Sequence, residues 1–111
     1  MSTHPSQRLD NTVHQRVRLG ILAVLSEARH ADFAYLRDTL DLSDGNLSRN
    51  LQVLEEANLI EIKKVFEGKR PRTWVTATRA GRAALKAEVA ALRELVSQVD
   101  GTGGGQKKAK G

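Results

Sequence analysis

The chain has 111 residues, 40% hydrophobic and 28% charged, which is room for one globular domain and too apolar for a wholly disordered chain. It contains no cysteine, which removes disulfides, thiolate metal sites and cysteine nucleophiles together and suits a reducing cytoplasm. Eighteen Lys and Arg against thirteen Asp and Glu give a formal charge of +5, so an acidic partner is expected, nucleic acid first. No apolar run approaches the roughly 18 residues of a membrane span. The polar stretch Met1–Asp10 lacks the apolar core of a secretory signal. A cytoplasmic protein without membrane contact is the expectation.

In chain order, residues 1–11 read as a flexible arm. Thr12 to about Arg29 reads as a helix, with Thr12 and Gln15 at capping-box spacing. Val13, Val17, Ile21, Val24 and Ala28 recur on one face, and Leu19, Leu22 and Leu25 add a second. A helix apolar on two sides needs two covers, and in so short a chain a second subunit is a candidate for one. Asp32 caps a short second helix through Tyr35, Leu36 and Leu40. Ser43 caps a third, from Asp44 to about Ala57, and Asn58 stands where a left-handed residue commonly ends a helix.

Strand chemistry follows. Ile60-Glu61-Ile62-Lys63 alternates, Val65-Phe66 continue it, the segment Glu67–Arg72 with Gly68 and Pro71 breaks it, and Thr73-Trp74-Val75-Thr76 resumes. The reading is a β-hairpin with a basic tip: Lys63, Lys64, Lys69, Arg70 and Arg72 fall within ten residues, opposed only by Glu67. Thr78 caps a last helix in which Leu85, Val89, Leu92, Val96 and Val99 step by 4, 3, 4 and 3 residues, a heptad seam. Residues 100–111 are expected to be a disordered Gly/Lys tail, whose Lys107, Lys108 and Lys110 supply +3 of the +5.

The expected class is therefore mainly α with a small β-hairpin wing, a winged helix-turn-helix over residues 12–99. On a helical wheel of the third helix, Leu47, Leu51 and Leu54 point inward. Gly45, Arg49, Gln52 and Glu56 point away, Asn46 sits on a shoulder, and Ser48 and Asn50 lie at the flanks. Arg pairs with guanine edges, and Asn and Gln with adenine edges. Gly45 keeps the first turn slim enough for backbone amides to meet a phosphate. Many surface helices carry such residues and many charged hairpin tips are only solvated turns. Their adjacency is what points to DNA.

The stretch from Asp32 to Leu85 carries a family likeness. The turn Leu42-Ser43-Asp44-Gly45-Asn46-Leu47-Ser48-Arg49, the helix end Leu51…Leu54-Glu55, the wing Gly68–Arg72 and the Thr78-Arg79-Ala80-Gly81 helix start together resemble bacterial winged-helix transcriptional regulators related to the MarR and ArsR families. With the first helix included, the resemblance spans roughly residues 12–99. It implies a homodimer joined through first and last helices, with Val13, Val17, Ile21, Leu85, Val89, Leu92, Val96 and Val99 at the interface. It also implies DNA contacts from Ser43, Asn46, Ser48, Arg49 and Asn50 on the reading helix and from Lys69, Arg70 and Arg72 on the wing, to which the helical wheel adds Gly45 and Gln52. Relatives often carry His where this chain has Asn50.

His4, His14 and His30 show no His-x₃-His pairing, and His14 and His30 lie about 24 Å apart along one helix, so no metal or other cofactor is expected. No nucleophile motif, P-loop or dinucleotide fingerprint occurs, so no enzyme is expected either. The expected function is a homodimeric regulator of double-stranded DNA binding a pseudo-palindromic operator, a repressor since the sequence shows no separate activation domain. The rival readings are a winged-helix protein-interaction module and a nonspecific nucleoid protein driven by wing and tail.

Overall fold

The computed structural model describes residues 4–101, so the expected disordered tail lies outside the described residues from 102 onward. At the other end, where a free arm was expected, Pro5–Arg8 forms a 3₁₀ turn with Pro5 buried, and Arg8 reaches Glu94 at 2.6 Å. Residues 10–14 make a separate turn: Asp10 Oδ1 accepts the amides of Thr12 and Val13 at 2.8 and 3.4 Å. Helix α1 therefore begins later than Thr12, at Arg16–Glu27. Gln15 is its N-cap, accepting from the amides of Val17 and Arg18 at 3.0 and 3.1 Å.

A two-residue strand, β1 (Ala31–Asp32), was not expected and is too short to show alternation. Asp32 then caps α2 (Phe33–Thr39), its Oδ1 accepting from the Tyr35 amide at 2.7 Å. Asp41 turns the chain at φ 55°, and Ser43 caps α3 (Asp44–Glu56) by accepting from the Asn46 amide at 3.1 Å. Asn58, at φ 64°, ends that helix in the left-handed conformation. The Leu59 amide closes back on the Leu54 carbonyl at 3.0 Å.

The hairpin is longer and tighter than its sequence suggests. Strands β2 (Ile60–Glu67) and β3 (Arg70–Ala77) pair in unbroken antiparallel register from Ile60↔Ala77 to Glu67↔Arg70. Only Gly68-Lys69 remains as the turn, with Gly68 at φ 66° as the first central residue of a type II′ turn requires. Pro71, read as a strand breaker, lies within β3 opposite Phe66. Counting from the closing pair, this is a non-hydrogen-bonded position, so the missing N–H costs the β2–β3 ladder nothing. The sheet order is β1-β3-β2.

Helix α4 (Arg79–Asp100) starts on Thr78, whose Oγ1 accepts from the Gly81 amide at 2.9 Å and donates to the Asn58 carbonyl at 2.7 Å. The core lies between α1, α3 and the sheet root: Val13, Ile21, Leu25, Leu36, Leu47, Leu54 and Val75 are all fully enclosed. This corrects one expectation. Val13, Val17 and Ile21 face the chain's own core, at 0%, 5% and 0% exposure, and have no surface to offer a second subunit. Periodicity marks a side chain as buried without saying by whom.

The middle of α4 is anchored by a buried carboxylate. Glu88 Oε1 accepts the Asp10 amide at 3.0 Å, and Oε2 lies 2.6 Å from His14 Nδ1, a contact satisfied when that nitrogen carries the proton. Toward the C-terminus α4 runs beyond this cover: Val96 and Val99 are 55% and 79% exposed.

Candidate nucleic-acid interface

Helix α3 presents its N-terminal half to solvent because Leu47, Leu51 and Leu54 take the inward side of the helix. Ser43, Gly45, Ser48, Arg49 and Gln52 are exposed and Asn46 is half-exposed. A Cβ added at Gly45 would meet nothing within 4 Å, so nothing of the protein's own crowds this first turn. Arg49 has no ion-pair partner among the described residues. Gln52 makes only a long 3.4 Å contact with Glu56. These donors are uncommitted and face outward.

Asn50 does not join them. It is buried, and its amide is fully occupied: Oδ1 accepts from Arg18 at 3.0 Å, and Nδ2 donates to the Asn46 carbonyl at 2.9 Å and to Asn46 Oδ1 at 2.7 Å. Arg18 is held in turn by the Thr12 carbonyl at 2.6 Å. The expectation of a DNA contact from Asn50 is therefore corrected. It positions Asn46, fixing that side chain's oxygen inward and leaving its amide nitrogen free to point out. The wheel gave the angle of Asn50 correctly, but the footprint of α1 extends far enough round α3 to cover it.

The wing supplies cations in two different ways. Lys64, Lys69 and Arg70 are exposed and without ion pairs among the described residues. Arg72 is committed: it bridges Asp32 at 3.1 Å and Glu67 at 2.9 Å and lies 5.0 Å over the Trp74 ring. Its expected role as a wing contact is corrected to a strut that ties the hairpin to the start of α2. The other side of this cluster is His30, 4.3 Å from the Trp74 ring centre.

Between α3 and the hairpin runs an open groove of about 650 Å³ lined by Ser48, Gln52, Glu55, Ile62, Lys64 and Thr73, among others. Lys64 belongs to the site although the sequence alone showed it only as one of a basic run. Strand alternation places it on the α3 side, with Ile62, whereas Lys63 lies on the opposite face beside Trp74. Arg37 is a second residue not anticipated. It bonds Asp38 and Asp44, each at 3.0 Å, and those carboxylates, Asp38 foremost, raise its already high pKa. The pairing offsets the negative charge of Asp44 at the very end of α3 that would approach a phosphate.

Glu55 and Glu56 leave the C-terminal end of α3 acidic. An anionic duplex is thus favoured at the N-terminal half of α3 and at the wing tip. Among the described residues, no group of three or more His, Cys, Asp or Glu side chains is arranged to hold a metal ion, and no helix is long and apolar enough to cross a membrane.

Comparison with known proteins agrees with this geometry. A family model described as a winged helix DNA-binding domain matches residues 17–96. An uncharacterised protein of Methanocaldococcus jannaschii is 36% identical over 84 residues, 76% of this chain and 91% of that one. The structure of a transcriptional regulator homologue from Pyrococcus horikoshii superimposes with a TM-score of 0.78 at 34% identity, covering 82% of this chain and 90% of the other. A zinc-responsive MarR family member from Lactococcus lactis shares the fold, with a TM-score of 0.61 at 20% identity over 79% of this chain and 60% of its own. The chain belongs to the winged-helix DNA-binding domain family, with the fold of MarR-type regulators.

Proposed function

We propose that this protein is a sequence-specific regulator of transcription that binds double-stranded DNA as a homodimer and represses by occupying its operator. The observation that carries the reading is the pairing of two uncommitted surfaces across one groove. Arg49, Gln52, Ser48 and Asn46 stand on the open face of α3, and Lys64, Lys69 and Arg70 stand on the hairpin beside it. The first set has the donors and acceptors that read base edges in the major groove, and the second neutralises phosphates. The transcriptional regulator homologue of P. horikoshii, similar over nine-tenths of its length, supports the same assignment.

Dimerisation rests on α4. Val89, Leu92 and Val96 line an open apolar groove with Arg93 and Ser97, and Val99 extends it. With Val13, Val17 and Ile21 spent on the core and Leu85 packed partly against it, the second copy is held chiefly through the seam of Val89, Leu92, Val96 and Val99. A twofold axis through that seam sets two α3 helices about one DNA turn, roughly 34 Å, apart.

The test is binding of the purified protein to genomic fragments, including the region upstream of its own gene, at two salt concentrations with random DNA as competitor. A complex that survives competitor at the higher salt supports the regulator. A complex lost to competitor indicates a nonspecific nucleoid protein, and absence of binding at either salt indicates a protein-interaction module or a requirement for a small-molecule or protein effector.

A further inference from the structure

The wing tip carries an aromatic side chain that the fold does not use. Phe66 is 75% exposed, although the core could be expected to claim one of only two phenylalanines. A single exposed apolar residue is ordinary. What surrounds this one is not. The register pairs Phe66 with Pro71, the next pair on the same face is Lys64 with Thr73, and the next is Ile62 with Val75. Ile62, Lys64 and Thr73 line the groove beside α3. Phe66 and Pro71 therefore form an apolar pair at the outer end of the surface that looks toward the reading helix. Lys64 stands behind the pair, Lys69 is in the turn, and Arg70 projects from the other face at the tip. The one acid of the turn region, Glu67, is on that other face and is bonded to Arg72 at 2.9 Å.

From Ile62, beside α3, to the turn at Gly68 the strand extends about 20 Å. Half a turn of B-DNA, the separation of a major groove from the next minor groove, is about 17 Å. The hairpin is therefore long enough for its tip to reach the minor groove of a duplex seated on α3. There a small apolar wedge flanked by cations has a defined use: the ring enters between base pairs or against the sugars while the cations hold both phosphate walls.

We propose that the wing reads DNA through Phe66, backed by Pro71, as an apolar wedge at a minor-groove step flanking each half-site, so that easily unstacked pyrimidine–purine steps (TA or CA/TG) are preferred there. This rests on the DNA-binding reading above. It adds a specificity determinant that selects by deformability, a property that Arg49 and Gln52 do not sense. Phe66 makes no core contact, so its replacement leaves the fold in place.

The experiment selects sites from a random duplex pool with the full chain and with Phe66→Ser and Phe66→Leu. The selected site is then synthesised with 2-aminopurine at the flanking step. The wild-type chain is expected to enrich TA or CA/TG about five base pairs from the segment read by α3 and to raise 2-aminopurine fluorescence on binding. Phe66→Ser retains the central sequence, loses the flanking enrichment and the fluorescence rise, and binds the selected site roughly ten-fold more weakly. Phe66→Leu, still apolar, recovers part of each. If Phe66→Ser selects the same flanks and leaves the fluorescence response unchanged, the wedge is refuted while DNA recognition stands. If the wild-type chain enriches no sequence, DNA recognition fails and the wedge with it.

Discussion

Replacing Asn50 with Ala separates a residue that positions the reading helix from one that touches DNA. The substitution removes the bond from Arg18 at 3.0 Å and the two bonds to Asn46 at 2.9 and 2.7 Å. A bond to a charged group contributes about 1.5–3 kcal/mol and a neutral one about 1 kcal/mol. The Asn46 carbonyl keeps its helical partner and half-buried Arg18 regains some water, so the loss is about 2–3 kcal/mol. Alanine returns about 0.5 kcal/mol of helix propensity. The net cost is about 2 kcal/mol, a fall in Tm of about 8–16 °C for a domain of this size. Asn46, released from its partner, samples several rotamers, and affinity for the selected duplex falls about five- to ten-fold. The salt dependence stays the same, since no phosphate contact is lost. Thermal melting followed by circular dichroism reads the first effect, and fluorescence anisotropy at several salt concentrations reads the second. A Tm within about 2 °C of wild type, or a salt slope reduced by about one, would refute the positioning role; the latter outcome would return Asn50 to the phosphate.

Substitutions at four other positions have expected outcomes from the same structure. Gly81→Ala places a Cβ 2.0 Å from the Leu59 carbonyl oxygen. That oxygen also holds the Thr78 amide at 3.0 Å. Overpacking of about 3 kcal/mol or more outweighs the roughly 1 kcal/mol gained in helix propensity, so chemical denaturation should show a loss of at least about 2 kcal/mol. Arg49→Ala should cost about 1–3 kcal/mol on the selected site and relax preference at one base pair. Arg70→Ala should weaken all sequences alike and lower the salt slope by about one, both read by anisotropy. Glu88→Ala strands the Asp10 amide and unhooks His14, costing about 1–3 kcal/mol in urea melts, whereas Glu88→Gln, which keeps an acceptor for Asp10, should lose less than half as much.

Much of this molecule is legible in its sequence wherever the deciding interaction is local. Asp32, Ser43 and Thr78 cap helices because their side chains reach amides three residues on, and Asn58 takes the left-handed turn after α3. What the sequence hides is set by neighbours distant along the chain. Asn50 and Arg72 look like free polar groups until α1 and Asp32 are brought against them. Val13, Val17 and Ile21 are as apolar as an interface requires, and only the packing of the core shows that they are already used. The strand β1 exists solely as a partner for β3. Pro71 reads as a breaker because the phase of the hydrogen-bond ladder, which makes it harmless, is fixed by the turn and not by its neighbours in sequence.

The central claim, recognition of a defined duplex by two copies of α3, is tested most directly by the spacing within selected sites. Duplexes recovered from a random pool by the purified protein should converge on an inverted repeat with half-sites about 10–10.5 base pairs apart, centre to centre. Sites without convergence, or a single half-site bound with full affinity by one copy, would contradict it.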